Sequence, residues 1–299
     1  MVRCAPMNLA GIQSSDYEYL DAGAGARLER FGPYILSRPS PQAIWAPERP
    51  ELWKQAAGVY HRSSSGGGEW EFPARLPDSW PVKYGPCTFT VKPTGFGHMG
   101  LFPEHSCHWD WVRAQIRAAG EPCRILHLFA YTGAMSLVAA DAGAQVCHVD
   151  AVEDINKWAR RNAEASGLAA KPIRWITDDA LKFTAREVRR QRAYEGVILD
   201  PPTYGKGPDN ERWLLEEHIA LLLGHLHALM AEKPRFILFT CHTPGFSMPL
   251  MENLLRAWPD SFGGRLESGN MTMSNRDCRC VLPVGVFARW QAEEGNRTE

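Results

Sequence analysis

The sequence predicts an α/β protein: a doubly wound, mainly parallel Rossmann-like sheet preceded by a β-rich accessory region. Three observations carry that expectation. After about residue 120, short apolar runs alternate with segments of helical period, the signature of βα units stacked into a parallel sheet. Before it, short β-prone runs are punctuated by Gly, Pro and Ser, which reads as hairpins. Two of the later apolar runs end on an aspartate, at Asp150 and Asp200, where an open parallel sheet presents its ligand site. The division expected is residues 1–119 for the accessory region and 120–299 for the sheet domain.

In the accessory region the β-prone runs are 34–36, 58–60, 69–72, 82–84 and 87–91, with 63–68 as a loop tip. Trp45, Trp53, Trp70 and Trp80 fall here, and their rings suit a small sheet packed against a neighbour. The sheet domain opens with a strand over 125–129, a helix over 134–142 and a strand over 145–149. Residues 152–166 repeat apolar side chains at Ile155, Trp158, Ala159 and Ala163, the spacing of one helix face, and Gly167 ends that helix. A strand over 172–176, a helix over 180–191 and the strand 196–199 follow. A long helix over 213–231, a strand over 235–240 and a hairpin-like pair at 265–272 and 280–290 close the chain.

With 299 residues, 44% hydrophobic and 22% charged, the chain carries enough apolar material for one large core and a smaller companion, which argues against membrane and disordered classes. The longest apolar stretch, 219–230, is broken by Gly224, His225 and His227 and is too short for a spanning helix, so no membrane partner is expected. Residues 1–13 lack a basic segment followed by an apolar one, so the protein is expected in the cytoplasm. Eight cysteines without a CxxC pair fit reduced thiols. His98, His105, Cys107 and His108 match no common zinc spacing, and no metal is expected. The net charge of −1 advertises no polyanion partner, and the basic stretch Lys182, Arg186, Arg189, Arg190 and Arg192 reads as a solvated helix face.

Asp200-Pro201-Pro202-Thr203-Tyr204 follows the apolar run 196–199. Proline has a fixed φ and no backbone N–H, so the pair stops the ladder and stiffens the corner, leaving Asp200 to face a ligand. Asp150 ends the run 146–150, where a carboxylate can accept hydrogen bonds from both hydroxyls of an adenosine ribose or, equally, stabilise a helix N-terminus. The turn between the first two sheet strands is Phe129-Ala130-Tyr131-Thr132-Gly133-Ala134, with one glycine and a bulky tyrosine. A dinucleotide pyrophosphate needs a glycine-rich turn, which disfavours NAD; S-adenosylmethionine carries no phosphate and fits better. Asp178-Asp179-Ala180 supplies a carboxylate at an adenine edge; one aspartate caps the next helix and the other, Asp179, is expected to touch the base.

Together, the segments 126–133, 148–150, 179–180 and 200–204 resemble class I S-adenosylmethionine-dependent methyltransferases of the bacterial large-subunit ribosomal-RNA type. The likeness extends upstream to 20–23, 28–32 and 98–105, and so covers most of the chain. It implies a cofactor site at Phe129, Tyr131, Thr132, Gly133, Asp150, Asp179, Ala180 and Asp200, and carries Phe102, Glu104 and His105 to its border. It also implies an RNA substrate. In the branch of that family that methylates cytosine carbon-5, a cysteine stands where this chain has Cys241, within Ser-Cys-Ser rather than Thr240-Cys241-His242.

Carbon-5 of a pyrimidine is a poor nucleophile and needs a thiolate added at carbon-6, whereas an exocyclic amine uses a carboxylate and a proline carbonyl directly. Under the carbon-5 reading Cys241 is the nucleophile, Asp200 orients the pyrimidine and Tyr204 borders or stacks on it. The competing reading makes Cys241 a small buried hydrophobe at a strand end. Expected above all is methyl transfer to a nucleobase, in ribosomal RNA by resemblance, with cytosine carbon-5 the favoured atom. The alternatives are a methyltransferase acting on a protein or small molecule, and a non-enzymatic RNA-binding or assembly protein with a degenerate cofactor fold.

Overall fold

The computed structural model describes residues 7–63, 67–119 and 123–293. The chain begins with β1 (Met7–Ala10), β2 (Tyr17–Gly23), β3 (Ala26–Phe31), β4 (Tyr34–Pro39), the short α1 (Pro50–Trp53), β5 (Gly58–Arg62), β6 (Gly68–Glu71), β7 (Trp80–Tyr84) and β8 (Cys87–Val91). A 3-10 turn at Pro103–His108 leads into α2 (Trp109–Ala119). Then follow β9 (Arg124–Leu128), α3 (Ala134–Asp141), β10 (Gln145–Asp150), α4 (Glu153–Ala165), β11 (Ile173–Thr177), α5 (Ala180–Arg189) and β12 (Gly196–Leu199). The last third holds β13 (Tyr204–Lys206), β14 (Arg212–Leu214), α6 (Leu215–Ala228), β15 (Phe236–Cys241), α7 (Met248–Leu255), α8 (Ala257–Phe262), β16 (Arg265–Met273) and β17 (Leu282–Gln291).

Eight strands form one sheet in the order β1-β16-β17-β15-β12-β9-β10-β11. β9 to β12 and β15 run parallel, while β17 is antiparallel to both its neighbours, β15 and β16. From β9 the chain winds outward through β10 and β11, then returns to lay β12 on the other side of β9. That reversal is the switch point at which open α/β sheets bind ligands, beyond the carboxyl ends of the strands. The fold is thus the doubly wound, mainly parallel sheet with an added β-rich N-terminal region.

Period-2 alternation divides the core between the two sheet faces. Ile125, Val146, Ile198, Phe236 and Leu238 pack on one face with α3 and the N-terminal strands. Leu126, Val149, Leu199, Ile237, Phe239 and Cys241 pack on the other with the apolar stripes of α5, α6 and α7.

The N-terminal region contains a five-stranded sheet, β2-β3-β4-β5-β6, and the separate hairpin β7-β8. Beneath it Arg38 donates to Glu29 Oε2 at 2.9 Å through Nε, and Tyr17 donates to Glu29 Oε1 at 2.8 Å, so the carboxylate is buried but paired. Charged residues in β2 and β3 hide this core: Asp21, Arg27 and Glu29 are all buried, which broke the hydrophobic pattern and left both strands unread in the sequence. The expected division at 119/120 leaves one N-terminal strand, β1, inside the large sheet, paired to β16. The tip expected at 63–68 lies partly outside the described residues; Ser63 N–H donates to Gly67 O at 3.0 Å.

One element differs in kind. The helix expected from residue 213 starts at Leu215, because residues 212–214 are β14, paired antiparallel with β13. The cause is Trp213, which is buried and donates its indole N–H to Pro202 O at 2.8 Å, tying this hairpin to the proline corner.

Candidate functional site

The carboxyl ends of β9, β10, β11, β12 and β15 open onto a cavity of about 560 Å³. Its wall is built first by the turn after β9. Phe129 and Tyr131 have φ of 53° and 49°, a left-handed backbone that costs a non-glycine residue about 1–3 kcal/mol and persists only where its surroundings enforce it. Here they do. Ala130 N–H donates to Val149 O, Gly133 N–H to Ala130 O, and Tyr131 N–H to Asp150 Oδ2 at 2.8 Å. Thr132 Oγ1 donates to Gly100 O at 2.5 Å, and Gly100 itself has φ of 83° with Trp158 so close that a Cβ would meet its ring at 2.1 Å. The strained turn therefore pushes the two rings of Phe129 and Tyr131 into the cavity wall.

Asp150 accepts from Tyr131 N–H through Oδ2 and from Val152 N–H through Oδ1. Burial raises its pKa, and these two backbone N–H groups pull it part of the way back. Each oxygen keeps a lone pair, so the carboxylate can still accept two hydroxyls. At the end of β11, Asp179 Oδ1 caps α5 by accepting from Lys182 N–H at 2.9 Å, while Asp178 pairs with Arg186; both aspartates line the cavity.

Across the switch point, Asp200 Oδ1 accepts from Thr240 Oγ1 at 2.7 Å, which fixes the carboxylate at the proline corner. Beside it stand two imidazoles. His242 follows β15 and donates Nδ1–H to Val284 O at 2.7 Å; His105 comes from the 3-10 turn and lies 2.9 Å from His242, Nε2 to Nε2. Burial lowers the His105 pKa, opposed by Asp200. Burial alone would raise the neighbouring Glu104 carboxyl, but Arg27, His242 and His105 outweigh it and hold the group down at about 2.

Of the residues expected from sequence, Phe102, Phe129, Tyr131, Asp150, Asp179, Ala180 and Asp200 line the cavity. Thr132 and Gly133 lie beneath the turn and shape it. Glu104 and His105 are buried behind the wall. Tyr204 is 53% exposed on β13, next to Thr203 and Gly205 on the rim. Cys241 is not on the wall. Strand alternation turns it into the apolar cluster with Leu199 and Phe239, it is 1% exposed, and burial raises its thiol pKa away from the thiolate that nucleophilic attack needs. The reading of Cys241 as a nucleophile facing the substrate does not match this placement.

Sequence reasoning missed Arg62, Lys206, Trp213 and Thr243, all of which line the cavity, as do His98 and Asp178 from segments that the sequence did single out. A signal existed for Thr243, which follows the Thr240-Cys241-His242 strand end.

A sequence description of S-adenosylmethionine-dependent methyltransferases matches residues 61–249, well over half of the chain. The chain belongs to that family. The crystal structure of the SAM-dependent methyltransferase from Agrobacterium tumefaciens is 35% identical, with a TM-score of 0.92 over 97% of this chain and 95% of that one. Curated relatives include the ribosomal RNA large subunit methyltransferase K/L of Syntrophotalea carbinolica, 30% identical over 51% of this chain and 21% of that protein. The protein of the same name from Shewanella frigidimarina is 29% identical over 50% and 20%. The chain thus spans about a fifth of the length of these ribosomal-RNA relatives. It is a methyltransferase enzyme with S-adenosylmethionine as cofactor, and no helix among the described residues is long and apolar enough to cross a membrane.

The cavity fits the cofactor. Asp150 at the end of β10 is a carboxylate with two unused lone pairs, Phe102, Phe129, Tyr131 and Trp213 give the wall four aromatic faces, and a cofactor without phosphate needs no phosphate-binding glycine loop.

Proposed function

We propose that this methyltransferase acts on a nucleobase of RNA, in ribosomal RNA by its likeness to the K/L enzymes, and that it does so in the cytoplasm. The observation that carries the reading is that Asp150 and Asp200, on strands flanking β9, border one continuous cavity. Asp150 accepts the ribose hydroxyls, Phe102, Phe129 and Tyr131 flank the cofactor, and Asp179 and Ala180 meet the adenine edge. Thr132, Gly133, Glu104 and His105 support these contacts from behind the wall. Residues 1–119 act as an accessory region that closes the cavity, since Arg62, His98 and Phe102 come from it.

When bound, the cofactor supplies a methyl group already activated on a sulfonium, so the protein's task is alignment and management of charge. Asp200 accepts a hydrogen bond from the N–H of the acceptor, raising the electron density of the attacking nitrogen and holding the proton it sheds. Pro201 and Pro202 keep that carboxylate from swinging. Tyr204, exposed beside the rim, offers its face to a base, and Arg62 and Lys206 are on hand for phosphate.

Direct transfer to a nitrogen is favoured over cytosine carbon-5, because Cys241 packs in the core with a raised thiol pKa. The test is transfer of labelled methyl to total RNA, with RNase-treated extract alongside. Label that survives RNase points to a protein or small-molecule acceptor and overturns the RNA assignment; nucleoside mass spectrometry then separates N-methyl from C-methyl products.

A further inference from the structure

We propose that His105, Asp200 and His242 form a binding site for one divalent transition cation of zinc type at the inner end of the cavity. The three side chains come from the 3-10 turn before α2, the end of β12 and the end of β15, and their donor atoms all lie within 4.8 Å of one another. His105 Nε2 is 2.9 Å from His242 Nε2 and 3.4 Å from Asp200 Oδ2, and His242 Nε2 is 3.6 Å from Asp200 Oδ1. Ligands about 2.1 Å from a tetrahedral zinc ion stand about 3.4 Å from one another. The two histidines approach different oxygens of the carboxylate, Oδ2 from His105 and Oδ1 from His242, and the three groups stand close to the separation a cation requires, with the histidine edge slightly short.

Two of the three ligands already have the outer support that metal ligands need. His242 donates Nδ1–H to Val284 O, which leaves the lone pair on Nε2, the atom that faces the other two. Thr240 donates to Asp200 Oδ1 and fixes the carboxylate plane. A further observation concerns charge. Glu104, adjacent in sequence to His105 and 3% exposed, has one oxygen near Arg27 and the other, Oε2, without a hydrogen-bond partner. A cation beside His105 would offset that buried negative charge.

Without a cation the two Nε2 atoms can approach only if a proton lies between them, and the rings, inclined by 14°, are placed for that. His242 has its proton on Nδ1, so the shared one belongs to His105. The cation takes its place, with His105 carrying its proton on Nδ1 instead. Two imidazoles and one carboxylate suit Zn²⁺, Fe²⁺, Mn²⁺ or Co²⁺ rather than Ca²⁺ or Mg²⁺. Asp200 and His242 both reach the cavity wall, so a position on the cation opens towards the acceptor, as in catalytic rather than structural sites. That an acceptor reaches the cation rests on the methyl-transfer reading above; that the cation binds does not.

The test is titration of chelator-treated, full-length protein with Co²⁺ followed by visible absorption. Expected is one equivalent, with the intense d–d bands of a low-coordinate cobalt site that Zn²⁺ bleaches. His105→Gln and His242→Gln each weaken Co²⁺ binding by about 100-fold or more, and Thr240→Val, which removes only the outer support, by about tenfold. His61→Gln, in an exposed pair with Glu71 on the N-terminal sheet, leaves the titration unchanged. Circular dichroism confirms that each variant is folded. The proposal is overturned if folded wild-type protein gives no cobalt bands, or if both histidine variants bind like wild type. Cobalt binding without methyl transfer to RNA would support the cation site and remove only the RNA assignment.

Discussion

Replacing Asp150 by Asn tests the cofactor pocket most directly. The exchange conserves shape but gives an amide that can keep only one of the two backbone hydrogen bonds, since its NH2 must face either Tyr131 N–H or Val152 N–H, both donors. One ribose hydroxyl then loses a charged acceptor, and the turn carrying Tyr131 at φ 49° loses part of what enforces it. A hydrogen bond to a charged group contributes about 1.5–3 kcal/mol. Loss of one, with no gain elsewhere, raises the Kd for S-adenosylmethionine by about 10- to 150-fold. Isothermal titration calorimetry of wild type and variant reads this directly. A Kd within about threefold of wild type, less than about 0.7 kcal/mol, would refute the assignment of Asp150 to the sugar. The pH dependence gives an independent check. Burial raises the Asp150 pKa, so on acidification its carboxylate protonates before an ordinary aspartate would, and affinity falls through that raised pKa. For stability the sign is opposite: protonation relieves a burial cost that is fully present above the folded-state pKa. In the Asn variant that acid limb of cofactor binding disappears.

Cys241→Ser leaves methyl transfer within a few-fold of wild type and lowers stability by about 1 kcal/mol, since it exchanges a buried thiol for a hydroxyl in an apolar cluster; complete loss of transfer, with a trapped covalent RNA adduct in the wild type, would restore Cys241 as nucleophile. Trp213→Ala costs about 3–5 kcal/mol in urea unfolding, because it empties a buried site, frees Pro202 O and removes a ring 4.8 Å from Phe129; a cost below about 1 kcal/mol would show that the hairpin does not brace the corner. The Glu104 carboxyl, raised by burial but lowered further by Arg27, His242 and His105, moves from 4.5 to about 2. A depressed acid stabilises above its unfolded pKa and loses that contribution as pH falls, here between about 4.5 and 2. Glu104→Gln therefore flattens that part of the acid denaturation curve, and an unchanged curve would deny the charge cluster its role.

The sheet was legible because its strands are buried on both faces and read as short continuous apolar runs between helix-period segments. Its ligand-bearing corners were legible for the same reason: an aspartate stands out at the end of an apolar run. Boundaries of the expected elements in the second half of the chain fell within a few residues, but α7 and α8 had no expected counterpart, and at Trp213 the apolar neighbours Leu214 and Leu215 continue a helical pattern while its indole is held by Pro202. Among the N-terminal strands, β4 to β8 were legible as short β-prone runs between turn residues, whereas β2 and β3 were not. In β2 and β3 the buried face carries Asp21, Arg27 and Glu29, so period-2 hydrophobicity is interrupted by charges that only the folded arrangement neutralises.

What the sequence hid at the site has one physical origin. Spacing along the chain detects ligands that share a turn or a helix, and His98, His105, Cys107 and His108 gave no such spacing. In the structure His105 leaves that group and meets Asp200 and His242, which are distant from it in sequence. Its position is set by the whole segment 98–108. Gly100 seats against Trp158 and accepts from Thr132, Phe102 lies 5.1 Å from Tyr131, and Tyr84 and Ser106 bond at 2.7 Å beneath the 3-10 turn. The same strap thus fixes the strained turn of the cofactor wall and the imidazole beside Asp200. A change that loosens it, such as Gly100→Ala, must then disturb both at once: cofactor affinity through Tyr131 and the donor triangle through His105. Parallel loss of S-adenosylmethionine and Co²⁺ binding in that variant is the outcome this coupling requires, and loss of one without the other would separate the two sites.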